Sequence, residues 1–308
     1  MSKSCVKAAY LVCGQPQILM APDQFPGWRS LRNSYTRVRE DLESQGIERI
    51  LYFSTQWLSV LGWTFQADPS PKWFLVDPNW HDLGTVHYEF RVDADFAHLH
   101  AAEVKKTGLH TMMVNYRGFP IDMGTIVAQK LLNPDNLFEA SMISCNMYAE
   151  KQESMLVGQA TRIALENSAK PTAVVLVSNL SNRFHVHEID PSKDCFSSLK
   201  DDEWNQKVLE LFGEGRLEDV AQVAREFASE ANGDMGFKGI FWLNALMGES
   251  NEHSGKVFDY QPVYGTGGAL AAIYPGPCMG EFKTTLESIS HNEKNTIRDV
   301  PFEEDDTI

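Results

Sequence analysis

Short apolar runs alternate with segments of helical period through the first 180 or so residues, and this alternation restricts the fold more than any other feature. The runs are Val6–Cys13, Ile50–Phe53 within Arg49–Trp57, Leu109–Val114, Glu139–Cys145 and the β-branched Thr172-Ala173-Val174-Val175-Leu176-Val177. Runs of this length, bounded by Gly, Pro and polar residues, read as buried strands. Between the first two, Trp28, Leu31, Tyr35, Val38 and Leu42 recur at alternating steps of three and four. That spacing puts one apolar stripe on a helix, closed by Gly46 as its C-cap. Helices are also expected over Ala94–Lys106, ending at Gly108, and from Glu150 to about Asn167.

Strands separated by helices predict an α/β fold, a largely parallel central sheet with helices on both faces, because parallel neighbours need a crossover between them. The expected organisation is a single domain over residues 1–275 and a polar tail over 276–308. The tail ends in Glu303-Glu304-Asp305-Asp306 and has few large apolar residues. It can bury too little surface to offset its ordering entropy, so it is expected to be mobile or to order only on a partner. After Val177 the alternation stops. Ser178–Lys200 reads as an irregular loop, and long loops inside compact domains are usually functional. Two amphipathic helices follow, one with Trp204, Val208 and Leu211, the other with Leu217, Val220, Ala224 and Phe227. Gly236–Met247 is apolar nearly all round and should be a buried helix.

A net charge of −15 without a basic run argues against a partner that presents a phosphate backbone, so no nucleic acid is expected. The five cysteines (Cys5, Cys13, Cys145, Cys195, Cys278) are odd in number and contain no CxxC pair. They suit neither a disulfide frame nor a zinc site, and the cytoplasm is the expected location. Val6–Val12 is too short to span a membrane and is followed by Gly14-Gln15-Pro16 instead of a small-residue cleavage site.

The chemistry is expected at Ser54-Thr55-Gln56-Trp57, the end of a buried strand, where α/β proteins open a crevice beside rigid side chains. Gln56 is an unusual occupant, since an amide is neither a base near neutral pH nor a good transition-metal ligand. The stretch Trp57–Trp80, broken by Pro69, Pro71 and Pro78, is expected to cover a cleft mouth; its aromatics either line a pocket or simply pack. Asp122 is an expected helix N-cap, and Asp234 is either a cap or a carboxylate directed into the cleft. Cys13 reads as a packed strand cysteine, with nothing indicated that would lower its pKa. Tyr264-Gly265-Thr266-Gly267-Gly268-Ala269 reads as a Gly-rich turn into a closing strand; it lacks the GxGxxG order of a nucleotide site. His185-x-His187-Glu188-x-Asp190 is the only metal-like cluster, with a solvated loop as the alternative. His98 and His100 would not share a helix face.

From Val6 to about Tyr274 the chain resembles the class III extradiol ring-cleavage dioxygenases. The resemblance is carried by Ser54-Thr55-Gln56-Trp57-Leu58, Val76-Asp77-Pro78-Asn79-Trp80, Val114-Asn115-Tyr116-x-Gly118-Phe119-Pro120-Ile121-Asp122, Asp234-Met235-Gly236-Phe237-Lys238 and Tyr264-Gly265-Thr266-Gly267, in the family's order. Catalytic members hold non-haem Fe(II) with two histidines and a glutamate, and a further histidine handles protons. The resemblance puts Gly14 at the first ligand position, in Cys13-Gly14-Gln15-Pro16-Gln17 where the catalytic pattern has His-Pro-Pro-His. It puts Gln56 at the second, Asp234 at the third and Asn182 at the proton-handling position. It therefore implies no catalytic residue, metal or cofactor in this chain, and a vestigial cleft around Gln17, Trp57, His185 and His187. The implied role is that of a non-catalytic α-type subunit in a hetero-oligomer whose homologous β subunit carries Fe(II) and cleaves an aminophenol- or catechol-type ring. Two alternatives stand beside it. One is an enzyme with a rebuilt site of His185, His187 and Glu188 or Asp234; the other is a non-enzymatic binding protein on the same fold.

Overall fold

The computed structural model describes residues 5–277. In chain order the elements are β1 (Val6–Val12), α1 (Pro16–Met20), α2 (Pro26–Ser44), β2 (Arg49–Ser59), β3 (Trp63–Gln66), β4 (Lys72–Val76), β5 (Thr85–Glu89), α3 (Ala94–Lys106), β6 (Thr111–Val114), α4 (Met123–Leu132), β7 (Glu139–Asn146), α5 (Lys151–Ser168), β8 (Thr172–Val177), α6 (Leu199–Gly213), α7 (Leu217–Glu230), α8 (Lys238–Met247), β9 (Ser254–Val263) and β10 (Thr266–Tyr274). The α/β alternation is as expected. Apart from Gly276 and Pro277, the expected acidic tail lies outside the described residues.

Eight strands form one sheet in the order β6-β3-β7-β2-β8-β1-β10-β9. The centre, β7-β2-β8-β1, is parallel throughout. Antiparallel pairing enters at the margins, where β10 pairs with both β1 and β9, and where β3 meets β7 at Phe65 and Ile143. The central strands are buried on both faces, which is why they read as continuous apolar runs. Successive side chains point to opposite faces. Leu51 and Phe53 enter a core shared with α3 and α5 to α8, whereas Ile50 and Tyr52 enter a second core with α1, α2 and α4.

The helix boundaries follow local chemistry. Asp93 caps α3 by accepting from Phe96 N, and Asp122 caps α4 by accepting from Thr125 N at 2.9 Å. Helix α2 stops at Ser44, with Gly46 just beyond at a positive φ of 64°. Two expectations are corrected. The proline-rich stretch after Trp57 is regular, forming β3 and an antiparallel β4–β5 hairpin, because Pro69 and Pro71 lie outside the strands and only their carbonyls are used, by Val92 N and Phe90 N. The buried helix begins at Lys238, not Gly236, because Met235, Gly236 and Phe237 all take left-handed conformations that break the helical repeat. Among the described residues no helix is long and apolar enough to cross a membrane.

Candidate functional site

Strands β1 and β8 end just before Cys13-Gly14 and Ser178-Asn179, and β2, instead of ending at Ser54 as expected, parts from β8 there and runs on to Ser59 through a bulge, so that Ser54-Thr55-Gln56 meet those two strand ends in one place. The left-handed turn before α8 brings Asp234 up to them. Asp234 is buried, and its Oδ2 accepts from Thr55 Oγ1 at 2.6 Å, Ser178 Oγ at 3.0 Å and Asn179 N at 3.0 Å. One carboxylate oxygen thus ties the bulge of β2 to the end of β8. Burial pushes the Asp234 carboxyl above its ordinary range, against the opposing pull of those three donors.

Gln56 is anchored from both ends. Its Nε2 donates to Gly14 O at 3.3 Å, and its backbone N donates to Ser54 Oγ at 3.2 Å. Ser54 Oγ donates onward to Asp122 Oδ1 at 2.7 Å, which joins the strand end to the cap of α4. Asn182 Oδ1 accepts from Asn179 Nδ2 at 2.9 Å, and Asn179 Oδ1 lies 3.2 Å from the Cys13 sulfur. The Cys13 thiol is fully buried and pushed up to about 12, so it is the packed strand cysteine its sequence context suggested.

These residues border a cleft of about 630 Å³. Its polar floor includes Thr55, Gln56, Asn179, Asn182 and Asp234, and its aromatic walls come from Trp57, Trp80, Phe119 and Phe184. Asp77 Oδ1 accepts from Asn79 N and Trp80 N, forming the turn that carries Trp80 to the cleft. Trp80 packs edge-on against Tyr264 with ring centroids 4.2 Å apart. Of the stretch from Trp57 to Trp80, only its two ends, Trp57-Leu58 and Leu75 to Trp80, border the cleft, while β3 lies within the main sheet.

The structure brings Gly14, Gln56, Asp234, Asn182 and Trp57 together. Three other expected cleft residues lie elsewhere. Gln17, on α1, is buried without lining the cleft. His185 turns toward Asp194, with Nε2 3.3 Å from Oδ1, because that buried carboxylate also gathers Trp28 Nε1 and the backbone N of Tyr264 and Gly265. His187 is exposed, so His185, His187 and Glu188 do not converge. His100 is fully buried between Phe65 and Phe96, away from His98 on the helix surface. Sequence reasoning missed the part played by Thr55, Ser178 and Asn179. The available signal was a polar pair directly after an apolar run, which occurs at Ser54-Thr55 and again at Ser178-Asn179.

The family model described as the catalytic LigB subunit of aromatic ring-opening dioxygenase matches residues 8–273. The chain belongs to that family. Two Pseudomonas relatives are similar along nearly their whole length. The 2-aminophenol 1,6-dioxygenase alpha subunit is 28% identical over 266 residues, covering 86% of this chain and 97% of its own. The beta subunit of the same enzyme is 29% identical over 273 residues, covering 85% and 89%. The 3,4-dihydroxyphenylacetate 2,3-dioxygenase of Escherichia coli is 21% identical over 236 residues, covering 75% and 85%. The crystal structure of an uncharacterized Escherichia coli K12 protein has the same fold, with a TM-score of 0.60 over 87% of this chain and 99% of that one at 11% identity.

The LigB family depends on Fe(II) for catalysis, and the residues that the sequence resemblance assigns to its ligand positions do not fit that ion. Gly14 offers no side-chain donor, and Gln56 offers an amide already anchored to the backbone. Asp234 has one oxygen saturated by three donors. Fe(II) sites of this type need imidazole and carboxylate on one face with open positions left over. Among the described residues, no group of three or more His, Cys, Asp or Glu is placed to hold a metal ion.

Proposed function

We propose that this chain is the non-catalytic subunit of a heteromeric extradiol dioxygenase. It is folded like its iron-bearing partner and supports that partner's assembly and stability. The observation that carries the reading is steric. A Cβ placed on Gly14 would lie 2.5 Å from Val177 Cγ1 and 2.6 Å from Gly124 Cα. The volume a ligand side chain would need at the first metal position is therefore occupied by the start of α4, while the surrounding strand-end scaffold is intact. The similarity to both subunits of one 2-aminophenol dioxygenase supports a partner of the same fold, holding the Fe(II), acting on an aminophenol- or catechol-type ring. The described cysteines are all free, in keeping with a cytoplasmic complex.

The test is co-expression with a homologous LigB-family chain encoded beside it. The purified chain alone should retain no stoichiometric iron and consume no O2 with 2-aminophenol. The pair should co-elute as a hetero-oligomer and turn over. One equivalent of Fe(II) together with ring cleavage by the chain alone would overturn the reading.

A further inference from the structure

The cleft is too large and too well formed to be only a residue of lost chemistry. At about 630 Å³ it falls in the range of small-molecule pockets. Its aromatic walls pack on one another and on Tyr264. Trp57 lies 6.3 Å from Phe119, and Trp80 is held between Tyr264 at 4.2 Å and Phe184 at 6.4 Å, centroid to centroid. Rings fixed in this way offer flat apolar surface at low entropic cost.

The charge of the lining is one-sided. Among the described residues that border the cleft there is no Lys, Arg or His, whereas three carboxylates, Asp77, Asp122 and Asp234, do border it. Each of these accepts hydrogen bonds from backbone N–H or hydroxyl groups of its own surroundings. None has a cation in the lining to neutralise it. An anionic ligand would lose its hydration here without gaining a cationic partner, which is the costly arrangement in a partly dry site. An uncharged ring meets no such cost, and the carboxyl oxygens of the lining can accept hydrogen bonds from an ammonium group. Asn182 supplies a polar handle beside the walls, since its Oδ1 is engaged by Asn179 while its Nδ2 is free to donate.

We infer that this cleft is a metal-independent binding site for a small aromatic compound that carries no negative charge, and that it discriminates against aromatic carboxylates. The relative named for 3,4-dihydroxyphenylacetate acts on a compound that bears a carboxylate; the lining here has no cation to pair with one. The inference rests on the iron-free reading of the chain, but its readout is binding and not turnover.

The test is isothermal titration of the full chain, stripped with chelator, against three probes on one phenylethyl-type body: phenethylammonium, 2-phenylethanol and phenylacetate. The ammonium and the alcohol should each bind at one site, and phenylacetate at least tenfold more weakly than either. Trp80→Ala should weaken the two binders at least tenfold, and Phe184→Ala, at a half-exposed wall position, should weaken them with circular dichroism unchanged. Phenylacetate binding as tightly as the alcohol, or no saturable binding by any probe, overturns the inference. Failure of the subunit reading would appear separately, as iron retention and O2 uptake by the chain alone.

Discussion

Gly14 at the end of β1 and Gly124 in the first turn of α4 are packed so closely that a methyl group on Gly14 would sit 2.6 Å from the Gly124 Cα. The contact is to backbone as well as to the Val177 side chain, so a rotamer change cannot relieve it. Gly14→Ala should therefore destabilise the fold by about 1–3 kcal/mol, the usual cost of overpacking. Urea denaturation measures it; an unchanged midpoint would mean that α4 moves aside freely. The double variant Gly14→His/Gln56→His should not acquire stoichiometric Fe(II), because the new imidazole at position 14 has no room to enter the cleft.

Asp234 acts as a clamp on the strand ends. In Asp234→Ala, Thr55 can turn to Val177 O and Ser178 to Asn179 O, both already within 3.1 Å. Asn179 N has no such second acceptor in the site. The expected loss is about 1–3 kcal/mol for one stranded buried donor, and Asp234→Asn should retain most of the stability. Because burial raises this carboxyl, the folded chain holds its proton to higher pH than the unfolded chain. Wild-type stability from this residue falls as pH rises from the ordinary value of 3.8 through the raised one. Asp234→Asn should lack that component in a pH series of unfolding curves.

His100 should contribute to acid sensitivity. Burial first, and then the nearby Arg49 charge, depress it from 6.5 to about 3. Below pH 6.5 the unfolded chain takes up a proton that the folded ring refuses, so the stability contributed by the neutral ring is present above that pH and is lost as pH falls toward 3. The slope for one such proton is about 1 kcal/mol per pH unit. His100→Phe keeps the ring between Phe65 and Phe96, and Thr161 Oγ1 still accepts from Trp242 Nε1. It should flatten the stability profile by about that slope between pH 6.5 and 4; an unaltered profile would refute the assignment.

Arg49 is fully buried, and its charge is met by Asp93 at 3.1 Å, while Nε donates to Thr172 Oγ1 and Nη2 to Ser168 Oγ. Asp93 also caps α3 and accepts from Lys170 Nζ at 2.8 Å. Asp93→Ala removes the cap and leaves a buried guanidinium short of its counter-ion, a change expected to cost about 3–5 kcal/mol. Thermal or urea unfolding of Asp93→Ala beside the double variant Arg49→Met/Asp93→Ala checks this. The double variant should recover part of the loss.

The strands of the sheet centre were legible because burial on both faces forces continuous apolar runs, and α2 because Trp28 to Leu42 keep one stripe. Asp122 as a cap and Asp234 as a cleft residue were likewise readable from their positions beside strand and helix boundaries. The β4–β5 hairpin was not, because Trp73, Phe74 and Val76 are exposed and Pro69 and Pro71 flank the strand instead of breaking it. Nor was the turn before α8, where Met235 and Phe237 take a backbone conformation that only glycine usually advertises. The position of His185 escaped because its partner, Asp194, is a loop residue fixed by contacts with Trp28 and Tyr264 that are remote in sequence.

The placement of β1 has a consequence for how the protein is made. Strand β1 lies between β8 and β10, so one of its edges has no partner until β10 has been synthesised. Until then β1 presents a row of open backbone groups and an apolar surface, the kind of edge that recruits other strands. The timing of translation is thus part of this protein's folding problem, because the vulnerable interval lasts as long as it takes to make the residues between β8 and β10.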